Sequence, residues 1–220
     1  MNSAVKPQKR NHRQRAHSNP FSDHNISYPL NPSFFDTPVD MVDIGCGYGG
    51  LLFKLSELYS NDHILGMEIR EKLVDYVDLK IKFEQETMNK STNVSVVRAN
   101  SMKFLTNYIE KESLKKMFIL FPDPHFKKKK HKARIVSKSM LDIYQYVIKP
   151  DGRLYISTDV EELFSYMCQC IEEHPLFSRL TEEEAQKDIL YEVIIETTEE
   201  SKKADIKHSN KYRAIFKRLP

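Results

Sequence analysis

The chain has 220 residues, 40% of them apolar, which suits one α/β domain with a full core and a short additional segment. No apolar run approaches the ~20 residues of a membrane-spanning helix, and the basic, polar N-terminus does not resemble a secretory signal. The three cysteines (Cys46, Cys168 and Cys170) form neither a disulfide framework nor a zinc-ligand pattern, so we expect no metal site.

The net charge of +3 is small, but cations and acids are segregated along the chain. Residues 1–22 carry five Lys or Arg and no acid, and residues 127–138 carry seven and no acid. Acids gather elsewhere, as in Glu182-Glu183-Glu184. This distribution favours a polyanionic partner such as nucleic acid, the alternative being a solvated loop or an import signal.

Residues 1–38 are polar and interrupted by prolines, which predicts a basic N-terminal arm ahead of a domain formed by residues 39–220. Arg13, Arg15 and His17 of this arm are candidate contacts to a nucleic acid, the arginines through its phosphates. The alternative for the arm is a disordered tail without a partner.

From residue 40 onward, apolar runs typical of strands alternate with segments of helical spacing. Strands are predicted at about 40–44, 63–69, 94–98, 117–121 and 154–157, and helices at about 50–59, 70–88, 137–148 and 160–173. A further helix is predicted after Asn100-Ser101, running through Leu105, Tyr108 and Ile109. A helix at 181–188 and strands at 190–197 and 212–219 are predicted to close the chain. This order predicts a Rossmann-like α/β fold of the class I methyltransferase type, a mostly parallel doubly wound sheet with an antiparallel C-terminal edge.

The glycine-rich stretch at residues 43–50 joins the first predicted strand to the first helix and holds four of the six glycines. Glycine is useful where backbone turns sharply or touches a ligand, so this stretch predicts a ligand against bare backbone. Gly45, Gly47 and Gly50 also fit a dinucleotide pattern. Asp43 would repel a pyrophosphate, however, which disfavours a nicotinamide-dependent oxidoreductase.

Two acids favour S-adenosylmethionine as the ligand. Asp43 suits its sulfonium and ammonium groups, and Glu68, at the end of the second predicted strand, is placed to accept hydrogen bonds from both ribose hydroxyls. Asn100 and Ser101 follow the third strand and fall at the same edge of the sheet. The alternative is a tight strand-to-helix turn with two solvated acids.

The segment Pro122-Asp123-Pro124-His125 ends the fourth predicted strand at that same edge. Its prolines fix the backbone, so that Asp123 can accept from the ring N–H and amino group of a purine; the alternative is an ordinary proline turn. The lysines of residues 127–132 follow directly, where they can anchor a nucleic-acid backbone. Phe126 and His125 can stack on a base, and the alternative for Phe126 is burial at the foot of the loop.

Five segments resemble the eukaryotic tRNA (guanine-N(7)-)-methyltransferase catalytic subunits: residues 13–20 (RQRAHSNP), 43–50 (DIGCGYGG), 66–70 (GMEIR), 120–126 (LFPDPHF) and 198–203 (TEESKK). The resemblance covers nearly the whole chain. It implies methyl transfer from S-adenosyl-L-methionine to nitrogen-7 of a guanine in the variable loop of tRNA. It also implies a heterodimer with a non-catalytic WD-repeat subunit, and a nuclear location.

The resemblance also implies roles for individual residues. Asp123 is the implied acceptor-site residue, and Thr198 and Glu200 are implied to close the site from the C-terminal segment. The cofactor pocket is implied to include, beside Asp43 and Gly47 of the glycine turn, Gly45, Glu68, Ile69, Arg70, Asn100, Ser101 and Leu120. The candidate RNA contacts that follow residue 126 are Lys127, Lys128, Lys129, Lys130, Lys132 and Arg134.

Two other functions are compatible with the same sheet. The first is a methyltransferase acting on a small molecule, a protein or a different RNA base, although a small acceptor needs neither the basic arm nor the lysine run. The second is a non-catalytic RNA-binding scaffold on a decayed fold. Decay is expected to erase Asp43, Glu68 or Asp123, and all three are present.

Overall fold

The computed structural model describes residues 5–14, 19–21, 38–206 and 210–220. Its seven strands form one sheet in the order β3-β2-β1-β4-β5-β7-β6. The strands are β1 (Met41–Ile44), β2 (Ile64–Glu68), β3 (Val94–Arg98), β4 (Leu114–Leu120), β5 (Ile148–Thr158), β6 (Phe177–Arg179) and β7 (Tyr212–Arg218). The first five pair in parallel, whereas β7 is antiparallel to both β5 and β6. The predicted doubly wound α/β fold is therefore confirmed.

The helices are α1 (Gly50–Leu58), α2 (Glu71–Met88), α3 (Ser101–Phe104), α4 (Lys138–Val147), α5 (Glu161–Glu172), α6 (Glu182–Gln186), α7 (Leu190–Glu196) and α8 (Glu199–Ile206). They cover both faces of the sheet. One apolar cluster packs α4 and α5 against the sheet, and a second packs α1, α2 and α7 against the other face. No helix within the described ranges is long and apolar enough to cross a membrane.

The register of the central strands sets the position of the site. Ile44, the last residue of β1, is level with Met67 on β2 and with Ile119 on β4. The residues that follow (Gly45, Glu68 and Leu120) therefore lie side by side at the carboxyl edge of the sheet. Ligands of doubly wound sheets bind at this edge.

The strand predicted at 190–197 is wrong, because these residues form helix α7. The β-branched run Val193-Ile194-Ile195 suggested a strand. The buried side chains, however, are Leu190, Tyr191 and Ile194, which lie on one face of a helix. The Asp188 carboxylate accepts a hydrogen bond from the Leu190 N–H at 2.9 Å, which stabilises the first turn.

Three other elements also differ from the predictions. Helix α3 ends at Phe104 and continues as a 3₁₀ turn at Leu105–Asn107, so the helix predicted to run through Leu105, Tyr108 and Ile109 is shorter than expected. Strand β5 (Ile148–Thr158) begins before the predicted 154–157 and is irregular ahead of Arg153, where Asp151 has φ +64°. The basic segment that follows Phe126, for which no helix was predicted, forms a 3₁₀ helix at Lys128–Ala133.

Candidate active site

A cavity of about 550 Å³ opens at the carboxyl edge of the sheet, where five parallel strands end. It contains residues that follow β1, β2, β3 and β4, which the sequence placed there. Its predicted lining residues are Gly45, Glu68, Ile69, Arg70, Asn100, Ser101, Leu120 and Asp123. Asp159, directly after β5, also lines the cavity and was not predicted. Its position just after a predicted strand, like that of Asp123, could have indicated it.

The glycine turn serves two different purposes. Gly45 has φ +74°, and a Cβ there would meet nothing within 4 Å, so this backbone faces open space that a ligand can reach. At Gly50, by contrast, a Cβ would lie well under 3.0 Å from the carbonyl oxygen of Thr197. Gly50 therefore allows close packing of the C-terminal segment and is not a ligand contact, contrary to the simple expectation for the turn.

Glu68 is held in one orientation by its neighbours. Its carboxylate accepts the Gly47 N–H at 3.1 Å and the Arg70 N–H at 2.9 Å. The Arg70 guanidinium adds two further hydrogen bonds, at 2.7 and 3.1 Å. Because Glu68 is only 3% exposed, these bonds fix a buried charge at the wall of the cavity. Gly47 itself does not line the cavity but orients the residue that does.

Asp43 lies behind the cavity wall and is not among the residues that line it. Burial raises the pKa of the neighbouring Cys46 thiol well above its usual value, and the charges of Asp43 and Glu68 raise it further. The thiol is therefore protonated at neutral pH and is not a nucleophile. Asp43 itself is buried next to the glycine turn, and its predicted contact with the cofactor stays a prediction.

Asn100 connects the cavity to the N-terminal arm. Its side-chain oxygen accepts the Met102 N–H at 3.1 Å and caps α3, while its amide donates to the carbonyl oxygen of Pro20. Pro20 lines the cavity as a result. No sequence signal revealed this contact, because the two residues lie far apart along the chain.

The C-terminal segment reaches the cavity through Ala204 of α8. Thr198 does not line the cavity; its hydroxyl accepts the Ser201 N–H at 3.0 Å near the start of that helix. The side chain of Glu200 lies outside the described part of the structure. Glu199 forms an ion pair with Lys9 of the arm, so the two ends of the chain meet beside the site.

The acceptor loop, defined as residues 121–126, is braced on both sides. The Phe121 N–H donates to the Ser157 carbonyl at 2.8 Å, and Arg134 Nε donates to the Pro124 carbonyl at 3.1 Å. Phe121 and His125 have φ of +48° and +46°, a left-handed conformation that costs about 1–3 kcal/mol and persists only where the surroundings enforce it. Asp123, with 29% of its side chain exposed, is thereby presented to the cavity in a fixed position.

Arg134 is a structural residue, which corrects its prediction as an RNA contact. It is 4% exposed, its guanidinium lies 4.3 Å from the centre of the Tyr166 ring, and it bonds to the acceptor loop as described above. A buried and stacked guanidinium cannot reach a phosphate on the surface. Its position at the end of a lysine run concealed this role.

The other predicted RNA contacts lie on the surface as far as they are described. Within the described residues, no ion pair with an acid involves the exposed side chains of Lys127, Lys129, Lys130 and Lys132. The side chain of Lys128 is outside the described residues, as are Arg15 and His17. Arg13 is exposed and follows a 3₁₀ helix, Lys9–His12, which contacts α2 through an edge-on approach of His12 to Tyr76 at 5.7 Å.

Sequence comparisons place the chain among methyltransferases. The family described as "Putative methyltransferase" matches residues 37–214. The tRNA (guanine-N(7)-)-methyltransferase of Caenorhabditis elegans is 49% identical over 97% of this chain and 89% of its own length. The protein of the same name from Anopheles gambiae is 47% identical over 97% of this chain and 95% of its own length.

Solved structures support the fold alone. A SAM dependent methyltransferase from Aquifex aeolicus superposes with a TM-score of 0.55 and 15% identity, over 82% of each chain. A SAM-dependent O-methyltransferase from Thermotoga maritima gives a TM-score of 0.52 and 12% identity, over 83% of this chain and 60% of that one. The shared architecture is the doubly wound sheet described above.

Proposed function

The chain belongs to the tRNA (guanine-N(7)-)-methyltransferase family, and we propose that it transfers a methyl group from S-adenosyl-L-methionine to nitrogen-7 of a guanine in the variable loop of tRNA. The observation that carries this proposal is the meeting of Glu68 and Asp123 at one cavity. Glu68 is a fixed hydrogen-bond acceptor for the cofactor that donates the methyl group. Asp123 is a fixed hydrogen-bond acceptor for the base that receives it.

The donor side of the cavity fits S-adenosyl-L-methionine. A volume of about 550 Å³ lies in the range typical of small-molecule sites. Gly45 offers open backbone and Leu120 supplies an apolar wall. Glu68 can accept from paired hydroxyls once the Arg70 guanidinium releases the two hydrogen bonds that it donates to this carboxylate. When bound, the cofactor supplies a methyl group on a positively charged sulfur, which the acidic lining of this cavity suits.

The acceptor side needs orientation more than proton transfer. Nitrogen-7 of guanine carries an in-plane lone pair and no proton, so no strong base is required there. Asp123 can accept from the ring N–H and the amino group of the guanine, and its negative charge offsets the positive charge that develops on the purine. Because the acceptor loop is braced by Arg134 and Ser157, this position is set before the substrate binds.

RNA binding is proposed for the surface next to the acceptor loop. Lys127, Lys129, Lys130 and Lys132 are exposed there and can approach phosphates, whereas the cavity itself is acidic. The guanine has to leave its stack to enter the cavity, at a cost of a few kcal/mol. Contacts to the flanking backbone can offset that cost, and Arg13 of the arm extends the basic surface.

The quaternary and cellular context is proposed from the resemblance in sequence motifs. We propose that the chain works as the catalytic subunit of a heterodimer with a WD-repeat subunit, and that the complex is nuclear. Size-exclusion chromatography of the chain co-expressed with that subunit tests the first proposal. Imaging of the tagged chain in cells tests the second, and a purely cytoplasmic signal contradicts it.

The proposed reaction can be tested directly. The purified chain, with and without the WD-repeat subunit, is incubated with labelled S-adenosyl-L-methionine and an unmodified tRNA transcript, and 7-methylguanine is mapped by cleavage at the modified base. We expect label in a variable-loop guanine, at least 100-fold less with Asp123→Ala, and no loss with Glu110→Ala, an exposed acid outside the cavity. Label at a different base overturns the proposed acceptor. Binding of tRNA without any label favours the scaffold function.

A further inference from the structure

Among the described residues, Phe126 is the most exposed aromatic side chain, and it lies close to the cavity. It follows directly on the cavity-lining residues Pro122–His125, and 68% of it is accessible to solvent. The sequence left two alternatives for this residue, burial at the foot of the loop or stacking on a base. The exposure excludes burial, so the ring contributes little to the core.

The backbone that carries Phe126 is rigid. The loop before it is fastened by the hydrogen bond from Arg134 to Pro124, and it contains two prolines. His125, immediately before the ring, has a left-handed backbone at φ +46°. A ring presented by such a loop loses little conformational freedom when a partner binds, which favours a recognition role over an incidental exposure.

The surroundings of Phe126 indicate what the partner is. Lys127, Lys129 and Lys130 follow it, all exposed, and none forms an ion pair with an acid in the part of the chain that the structure describes. An aromatic ring beside uncommitted cations is the arrangement with which proteins bind unpaired nucleotides, since the ring stacks on a base and the cations approach its phosphates.

We propose that Phe126 is a stacking platform for an unpaired base next to the guanine that enters the cavity. This inference rests on the proposed RNA function and adds a positioning residue to it. When the guanine leaves its stack, the neighbouring base loses one stacking partner, and the Phe126 ring replaces it. The ring thereby holds the RNA in register over Asp123 without touching the reacting atoms.

The test uses the full-length chain, with the WD-repeat subunit if activity requires it, and an unmodified tRNA transcript. Phe126→Leu keeps an apolar side chain without a π-face, and Phe126→Trp keeps the π-face. Leu79→Ala is the matched control, because Leu79 is also an exposed apolar residue and lies on α2, away from the cavity. Lys129→Ala removes one exposed cation and shows how a purely electrostatic loss affects tRNA binding.

Stacking of one base on an aromatic ring is worth about a 5- to 150-fold change in affinity, or about 1–3 kcal/mol. We therefore expect Phe126→Leu to weaken tRNA binding and to lower kcat/KM for tRNA by about 5- to 150-fold, and Phe126→Trp to remain close to the original chain. The KM for S-adenosyl-L-methionine, the Tm and the salt dependence of binding are expected to stay unchanged. Lys129→Ala is expected to reduce the salt slope by about one.

The outcomes separate this inference from the proposed function. Binding and kcat/KM unchanged in Phe126→Leu overturn the stacking role, whatever the reaction. A loss in Phe126→Leu that comes with a lower Tm or a raised KM for S-adenosyl-L-methionine also overturns it, in favour of a structural role. If the original chain modifies no guanine, the proposed function fails, while binding measured by fluorescence anisotropy still decides whether Phe126 stacks on RNA.

Discussion

Gly50→Ala tests whether the C-terminal segment is seated on the glycine turn. In the structure, a Cβ at residue 50 would lie well under 3.0 Å from the Thr197 oxygen and 3.3 Å from the Thr197 carbonyl carbon. These are backbone atoms, so no side-chain rotation relieves the contact, and the junction between α7 and α8 has to move.

The expected magnitude follows from two opposing effects. Alanine favours the helix over glycine by up to about 1 kcal/mol. Overpacking of a tight contact costs about 1–3 kcal/mol. We expect the second effect to win, with a net loss of about 1–2 kcal/mol in the free energy of unfolding. Displacement of Ala204 from the cavity is expected to raise the KM for S-adenosyl-L-methionine by about 5- to 30-fold.

Hydrogen exchange over residues 190–206 distinguishes this explanation from general destabilisation. Gly50→Ala should accelerate exchange in that segment more than elsewhere. Gly45→Ala is the matched control, because it strains a left-handed backbone at φ +74° but meets no atom within 4 Å. If Gly50→Ala leaves exchange unchanged and makes the chain more stable, the segment is not seated on the turn, and the reasoning is refuted.

Three further predictions concern buried groups. Glu68→Gln removes a charged acceptor from the cavity wall and should raise the KM for S-adenosyl-L-methionine about 10- to 100-fold, with the affinity for tRNA unchanged in a binding titration. Asp188→Ala removes the acceptor of the Tyr155 hydroxyl and the Leu190 N–H and should cost about 2–4 kcal/mol in urea unfolding, whereas breaking the exposed Glu183–Lys187 pair should hardly shift the midpoint. Burial raises the pKa of the Cys46 thiol, so the folded chain keeps this proton to higher pH than the unfolded chain does. The stabilisation from the protonated thiol is therefore present below about pH 8.5 and is lost progressively as the pH rises above that value. Iodoacetamide at pH 8 should accordingly modify Cys46 far more slowly than in urea-unfolded protein, and equal rates would contradict the burial.

Much of the sheet and of the cavity was predictable because parallel strands bring distant residues to one edge. The glycine turn, Glu68, Asn100 and Asp123 each follow an apolar run, and the topology alone places them together. Their residue types then indicate the chemistry. This reasoning needs only the order of the strands, which hydrophobic periodicity shows well.

The remaining features depend on contacts that periodicity does not encode. Helix α7 contains a β-branched run, and its helical state depends on its packing against the sheet and on the hydrogen bond that Asp188 accepts from the Leu190 N–H. Strand β6 has three residues, too few for a pattern. Arg134 has the charge of its neighbours, but its contacts with Tyr166 and Pro124 make it part of the scaffold.

The distribution of charge around the cavity favours an RNA orientation in which the base points into the cavity and the phosphates stay outside. Glu68, Asp123 and Asp159 line the cavity, and Arg70, the one Lys or Arg that lines it among the described residues, is already bonded to Glu68. Such a lining repels phosphates, but it can bind the N–H edge of a guanine and a positively charged methyl donor. The lysines lie outside, on the surface beyond Phe126. We therefore expect phosphates at the rim and the base in the cavity, so that the charges proposed to bind the RNA also orient it.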